Sequence, residues 1–359
     1  SAPRSSSRAS RRSSLNADAH LWFLVLAGGI GSRFWPVSTR ERPKQLLPLA
    51  SARPLIEDTV ERARSVVPDQ RIRILAGEHL TASFRAVLPT LPPDAFMVEP
   101  RARGTCPVLA WAAWEIARLD PEAVLVSLHS DHVIGPLEAF RDTVAAAADI
   151  ARHQDMLVTL GIRPDRVETG YGHIQPGETL AGGGACRVSA FHEKPDADTA
   201  RRYVDAGYLW NSGIFVWKAS VFLEEVGRHA PEVAACLPLL ESGGAEAFFD
   251  AAPVCVVDRA VMERSDRVAC VAATFAWDDV GSWEALARTH EPDAHGNVIL
   301  GDGQAVEARG NVVFADGGRV VIFGAEDLVV VRSGETTLVL PRARAADLKS
   351  LLEALGEVS

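Results

Sequence analysis

Short apolar runs alternate with amphipathic stretches from about residue 19 to residue 290. The runs at 22–27, 72–76, 123–128, 156–162 and 213–217 are nearly continuous in Val, Leu, Ile, Phe and Trp, as strands buried on both faces are. Between them, 54–66, 107–118 and 137–152 carry apolar residues at helical spacing. This alternation predicts an α/β fold, a Rossmann-like and mostly parallel sheet flanked by helices. The pattern changes near 288–296. From 296 to 340, Val-rich runs are cut by Gly301, Gly303, Gly310, Gly317, Gly318, Gly324 and Gly334. That predicts a β-rich region with tight turns, with a β-helix-like form among the expectations, closing in an amphipathic helix over about 343–355. The expected division is a flexible basic tail over 1–18, a large α/β domain over 19–290 and a small β-rich domain over 291–359. No regular repeat stands out.

Composition sharpens this picture. The chain has 359 residues and a net charge of −10, which argues against a general nucleic-acid or anionic-membrane binder. The total hides a tail with Arg4, Arg8, Arg11 and Arg12 and no acid through residue 12. That Ser/Arg-rich start reads as an extension rather than a transit peptide. The apolar stretch 21–27 mimics a signal peptide. It feeds directly into a glycine loop that cleavage there would destroy, so no secretion is expected. No apolar run reaches the roughly 18 to 20 residues that span a bilayer. Five cysteines without a C-x-x-C pair fit neither a disulfide framework nor a structural zinc site, and a reducing cytoplasm is the expected setting. Lysine is rare: Lys44, Lys194, Lys218 and Lys349 are the only four, so each is a candidate for work that wants a compact ammonium.

The first strand runs into Ala27, Gly28, Gly29, Ile30, Gly31, Ser32 and Arg33. Glycines there let backbone N–H groups approach phosphate oxygens. The dinucleotide fingerprint fails, because its third glycine would fall at Phe34. The Walker A loop fails too, because its second glycine would fall at Arg33 or Phe34. Arg33 and Lys44 are nevertheless the cations a triphosphate needs beside such a loop.

The stretch Leu26-Ala-Gly-Gly-Ile-Gly-Ser-Arg-Phe-Trp-Pro36, followed by Arg42-Pro-Lys-Gln45, resembles the signature of sugar nucleotidyltransferases, specifically mannose-1-phosphate guanylyltransferases. The resemblance covers nearly the whole chain after the tail. It implies the reaction mannose 1-phosphate + GTP ⇌ GDP-mannose + pyrophosphate, a Mg²⁺ cofactor and a homodimer.

Later motifs carry chemistry of their own. Glu99, in Glu99-Pro-Arg-Ala-Arg103-Gly-Thr105, can accept two hydrogen bonds from the guanine N1–H and 2-amino group. The resemblance assigns it the same role, with Arg103 and Thr105 beside it. Gly104 departs from the family, which has Asn there, so a polar contact in the loop is expected to be lost. Asp131, in His129-Ser-Asp-His132, ends a strand where α/β sheets bind ligands. The resemblance makes it a Mg²⁺ ligand together with Asp279 of Trp277-Asp-Asp279. A solvated turn or helix cap is the competing reading of Asp278 and Asp279. His129 and Ser130 replace the family's Pro-Ala.

For the sugar phosphate the resemblance points to Gly172, Glu193, Lys194 and Asn211, with His173 in place of a Tyr. Trp111, Trp114 and Trp217 are expected in the core, while Trp35, Trp210, Trp277 and Trp283 are expected to shape the pocket. The residues after 291 are too few for the cupin-like isomerase module of longer relatives, so no phosphomannose isomerase activity is expected. Two other readings stay open: a sugar nucleotidyltransferase of different base or hexose, and a catalytically silent nucleotide-sugar-binding regulator.

Overall fold

The computed structural model describes residues 18–29, 31–180 and 183–356. The expected tail lies almost wholly outside these residues. The first strands of the large unit among the described residues are β1 Leu21–Leu26, β2 Ile72–Gly77, β3 Phe96–Glu99, β4 Val124–His129, β5 Val133–Gly135, β6 Leu157–Ile162, β7 His173–Thr179, β8 Ala185–His192, β9 Leu209–Lys218 and β10 Val268–Ala272. All but β5 join one sheet in the order β3-β2-β1-β4-β9-β6-β10-β8-β7.

The sheet is mixed. The pairs β3–β2, β2–β1 and β1–β4 are parallel, as is β6–β10. The long strand β9 lies antiparallel between β4 and β6, and β7 and β8 add an antiparallel margin. Alternate residues of β1 feed two cores. Leu21, Phe23 and Val25 pack under the helices Leu55–Arg64, Glu78–Val87 and Leu137–Gln154. Trp22, Leu24 and Leu26 pack under Thr105–Leu119, Ala219–His229 and Leu239–Ala251. Covering both faces explains why β1 reads as a continuous apolar run. Among the described residues, no helix is long and apolar enough to cross a membrane.

Further along come β11 Ala276–Asp278, which pairs with β5, and then β12 Val298–Val306, β13 Val312–Phe323, β14 Leu328–Ser333 and β15 Thr336–Pro341. The glycines here turn successive coils, in keeping with the β-helix-like form expected. β12, β13 and β14 pair in parallel, and only β14–β15 is antiparallel. Each parallel step is a coil, fastened by stacked asparagines. Asn311 Nδ2 donates to Asn297 Oδ1 (2.9 Å), and the Leu328 amide donates to Asn311 Oδ1 (3.0 Å). The sequence carries this as Gly-Asn-Val at 296–298 and again at 310–312, a repeat that the broader pattern obscured. A helix, Leu348–Leu355, closes the chain after a 3₁₀ stretch.

The coils share a core with the large unit. Phe34, Leu47, Val280 and Trp283 pack with Phe314, Val331 and Leu348. Arg342 forks onto Glu284 (2.7 and 2.8 Å) across the same junction.

Candidate active site

The carboxyl ends of β1, β3 and β4 open on one side of the sheet, and each delivers a candidate group. After β1, Ala27 is buried while Gly28 and Gly29 are exposed. A methyl on Gly28 would lie 3.8 Å from Glu99 Oε1 at the end of β3. The buried side chain of Gln45 braces the loop from behind, donating to the Gly29 carbonyl (2.6 Å). Gly31 has a left-handed φ of +73°, and a Cβ there would stand 2.4 Å from the Lys44 Cβ. Glycine is required at 31 because the lysine stem passes beneath the loop. Ser32 and the exposed Arg33 begin the 3₁₀ turn that follows.

Lys44 is buried rather than held out toward solvent. Its Nζ donates to Asp131 Oδ2 (3.0 Å), just beyond β4, and to the Asp279 carbonyl (2.6 Å). Asp131 and Asp279, 148 positions apart in the sequence, therefore meet on one ammonium. Burial on its own would raise the Asp131 pKa. Lys44, His132 and His129 outweigh it and hold the carboxyl below its ordinary range.

The Asp279 carboxylate accepts from the Tyr171 hydroxyl (2.7 Å). Its turn is strained: Val280 has φ +46°, rare for a β-branched residue. The turn is pinned by the Val280 amide on Asp278 Oδ1 (2.7 Å). Arg288 forks onto Asp278 (2.8 and 3.1 Å), so Asp278 is committed to structure and Asp279 is the acid left facing the site. Arg33 reaches the same turn, since a Cβ on Gly281 would stand 2.9 Å from Asp279 Oδ2 and 3.4 Å from Arg33 Nη1.

His129, Asp131 and His132 bring potential ligand atoms within 4.8 Å of one another. His132 is unsuited to a metal through Nε2. The Trp277 indole donates to its Nδ1 (3.1 Å), which leaves the ring proton on Nε2. Asp131 and the imidazole of His129 remain, and the carboxylate is the donor suited to a hard divalent cation.

Glu99 is buried without a charged partner, and burial pushes its carboxyl up to about 7. Arg103 turns away from the loop and donates to the carbonyls of Phe249 (2.7 Å) and Asp250 (3.2 Å). Thr105 opens its helix and accepts from the Val257 amide (2.9 Å). Gly104 has φ +83° and ψ 177°, and a Cβ there would stand 2.4 Å from the Cys255 carbonyl oxygen. Glycine at 104 is thus a steric requirement of this loop.

On the opposite wall, a Cβ on Gly172 would fall 2.7 Å from Glu193 Oε2, so the missing side chain makes room for that carboxylate. The Asn211 amide nitrogen of the backbone donates to the Gly172 carbonyl (2.8 Å). Its side chain accepts from Thr159 (3.0 Å) and the Gly213 amide (3.2 Å) and donates to Asp258 (2.8 Å). Burial, reinforced by Asp258, raises the Glu193 pKa. Lys194 is exposed, with φ +49° and its Nζ 3.4 Å from Glu193. His173 is fully buried, its Nδ1 3.1 Å from the Tyr171 carbonyl, so it belongs to the wall behind the pocket.

Sequence reasoning missed Asp258 and Tyr171 as site residues. Tyr171 lies between Gly170 and Gly172 and could have been read from that glycine-flanked turn. Asp258 follows Val256 and Val257 with no motif around it. Of the tryptophans, Trp111 and Trp217 are core, and Trp210 and Trp283 are buried behind the pocket.

Residues 23–296 match the Nucleotidyl transferase family, and residues 296–355 match the MannoseP isomerase/GMP-like beta-helix domain. The xanthan biosynthesis protein XanB of Xanthomonas campestris pv. campestris (strain B100) is 37% identical over 92% of this chain and 72% of its own length. The mannose-1-phosphate guanylyltransferase of Escherichia coli K12 is 36% identical over 94% and 74%. A crystal structure from Thermus thermophilus, described as a mannose-1-phosphate geranyltransferase, superposes with a TM-score of 0.88 at 35% identity, covering 94% of this chain and 99% of that one. With the glycine loop, the paired acids and the coiled C-terminal sheet in one chain, this protein belongs to the nucleotidyl transferase family.

Proposed function

We propose that the protein transfers GMP from GTP to mannose 1-phosphate, releasing pyrophosphate and forming GDP-mannose. The observation that carries the base preference is Glu99, a buried carboxylate beside the bare backbone of Gly28. Guanine offers it two donors in a row, whereas uracil and thymine present carbonyl oxygens on either side of their one N–H. The sugar rests on the likeness to mannose-1-phosphate guanylyltransferases and on the Gly172, Glu193 and Asn211 wall.

An oxygen of the sugar phosphate attacks the α-phosphorus of GTP in line. The bond from that phosphorus to the α,β-bridging oxygen breaks, and pyrophosphate leaves with the electron pair. The nucleophile is already anionic, so no general base is needed, and catalysis is positioning plus charge neutralisation. Ala27, Gly28, Gly29, Gly31 and Ser32 supply backbone to the phosphates, and Arg33 holds the leaving pyrophosphate. Lys194, exposed at the far wall, meets the sugar phosphate.

Asp131 and Asp279 would hold Mg²⁺, as the resemblance implies: the Asp131 carboxylate and the Asp279 backbone carbonyl meet on the Lys44 ammonium, and the Asp279 carboxylate lies on Tyr171 beside them. Mg²⁺ bound there would supply positive charge at the α-phosphate. Lys44 keeps Asp131 charged and ties it to the Asp279 backbone. This alters the expectation drawn from spacing, in which Lys44 gripped the triphosphate directly.

A turnover screen of GTP, ATP, UTP and dTTP against mannose 1-phosphate and glucose 1-phosphate, with and without Mg²⁺, tests the reading. GTP with mannose 1-phosphate should be the preferred pair. Equal use of UTP would remove the role given to Glu99.

Glu99 also fixes a pH dependence. Its folded pKa of about 7 lies above the ordinary 4.5, so the folded chain holds this proton more tightly. Guanine donors favour the ionised form, so binding must expel the proton below neutrality. The KM for GTP should fall roughly tenfold from pH 6 to pH 8 relative to that for ATP. Glu99→Gln should flatten the difference. Stability runs the opposite way: this group's contribution is full below pH 4.5 and is lost as pH rises through 7.

A further inference from the structure

Two cysteines outside the site lie directly opposite each other on neighbouring strands. Cys186 of β8 and Cys270 of β10 are register partners in the antiparallel pair. Directly opposed antiparallel residues have Cα atoms about 4.5 to 5.5 Å apart, inside the span a disulfide bridges. Their side chains share one face of the pair. The Cys186 sulfur lies 3.8 Å from the Cys270 carbonyl oxygen. Both line a cavity of about 560 Å³ with Arg163, Pro176, Tyr208 and Leu209.

The two are not equivalent. Cys186 is half-buried, while Cys270 is 1% exposed. The neighbouring Cys270 thiol draws the Cys186 pKa down, while its own pKa is pushed up by that pairing and by burial. This is the arrangement of an attacking thiolate with a resolving thiol behind it.

We propose that Cys186 and Cys270 form a dithiol modification site that peroxides close to a cross-strand disulfide. The Cys186 thiolate attacks one peroxide oxygen. The O–O bond breaks, and Cys186 becomes a sulfenic acid as hydroxide leaves and takes up a proton. The Cys270 sulfur then attacks the Cys186 sulfur, the S–O bond breaks, and a second water departs. Overall, two thiols and one hydrogen peroxide give one disulfide and two waters, with two electrons passing from sulfur to peroxide.

The position ties this chemistry to the sugar wall. β8 runs straight on to Glu193 and Lys194. β10 pairs with β6, whose Gly161 is the register partner of Asn211. The Cys270 sulfur occupies the space that a Cβ on Gly161 would need, 2.5 Å away. Drawing it toward Cys186 removes the packing behind Asn211. The expected consequence, which rests on the proposed function, is a several-fold rise in the KM for mannose 1-phosphate with the KM for GTP unchanged.

The test is mass spectrometry of the folded chain after a few equivalents of hydrogen peroxide, with alkylation of the remaining thiols and peptide mapping. The expected product is about 2 Da lighter, holds a Cys186–Cys270 linkage and reverts with dithiothreitol. Cys270→Ser should stop at a sulfenic acid on Cys186 that dimedone captures, and Cys186→Ser should form neither product. Five free thiols after treatment would overturn the proposal. So would a linkage mapped to Cys106 and Cys255, or equal thiol loss in Cys186→Ser. These readings need no turnover, so they stand apart from the functional assignment. An oxidised protein with an unchanged sugar-phosphate KM would overturn the link to the sugar wall alone.

Discussion

Asp131→Asn should lower turnover at least about a thousandfold while leaving the thermal unfolding midpoint within a few degrees of the parent. The two halves of this expectation come from the same geometry. Asp131 Oδ2 accepts from the Lys44 ammonium at 3.0 Å, and an asparagine oxygen in that place can still accept it. Lys44 also keeps the Asp279 carbonyl at 2.6 Å, so the buried lysine is not stranded. The negative charge is lost, and with it the capacity to hold a divalent cation against the α-phosphate. Rates should be measured with GTP and mannose 1-phosphate at saturating Mg²⁺, beside a thermal melt. A variant keeping more than a tenth of parental turnover would remove Asp131 from the proposed machinery. A collapse of the fold would show that its part is chiefly to neutralise Lys44.

The second large effect concerns stability. Gly104→Asn should destabilise the chain by roughly 3 to 5 kcal/mol. The φ of +83° with ψ near 180° is a conformation open essentially to glycine alone. The Cys255 carbonyl 2.4 Å from the would-be Cβ cannot easily retreat. Cys255 is tied on both sides, its amide to the Arg103 carbonyl (3.0 Å) and its carbonyl to the Cys106 amide (3.2 Å). A melting point lower by roughly ten degrees is expected. If the variant melted within about 2 °C of the parent, the loop would not be rigid. The KM for GTP should rise as well, because the loop leads from Glu99 into the Thr105 helix.

What could be read from the sequence follows from what each residue answers to. Strands β1, β2, β4 and β6 were legible because burial on both faces leaves an uninterrupted apolar run. β7 and β8 were not, because each mixes buried with exposed positions and β7 contains Pro176 and Gly177. Arg33, Glu99, Asp131 and Asp279 were legible as positions because each sits in a short motif at a turn. Lys44 was legible as a cation near the loop, but its direction was not. Nothing local says that it turns inward to two acids brought together by the fold. Arg103 failed in the same way, since its partners are carbonyls at the end of a helix 146 positions away. Asp258 acquires meaning only through Asn211, 47 positions earlier, and no periodicity links them.

The junction core has a consequence for how the chain behaves as a material object. Phe34 follows Arg33 and Val280 follows Asp279, and both are fully buried against the coiled sheet. The strained turn and the glycine loop therefore take their stiffness from residues beyond 300. Residue 296, where two family matches meet, is not a line along which the molecule can be cut. A chain ended there would expose Phe34, Leu47 and Trp283 to water and leave both loops unbuttressed. The C-terminal coils are, in mechanical terms, the vice that keeps the two loops apart from each other by a fixed gap.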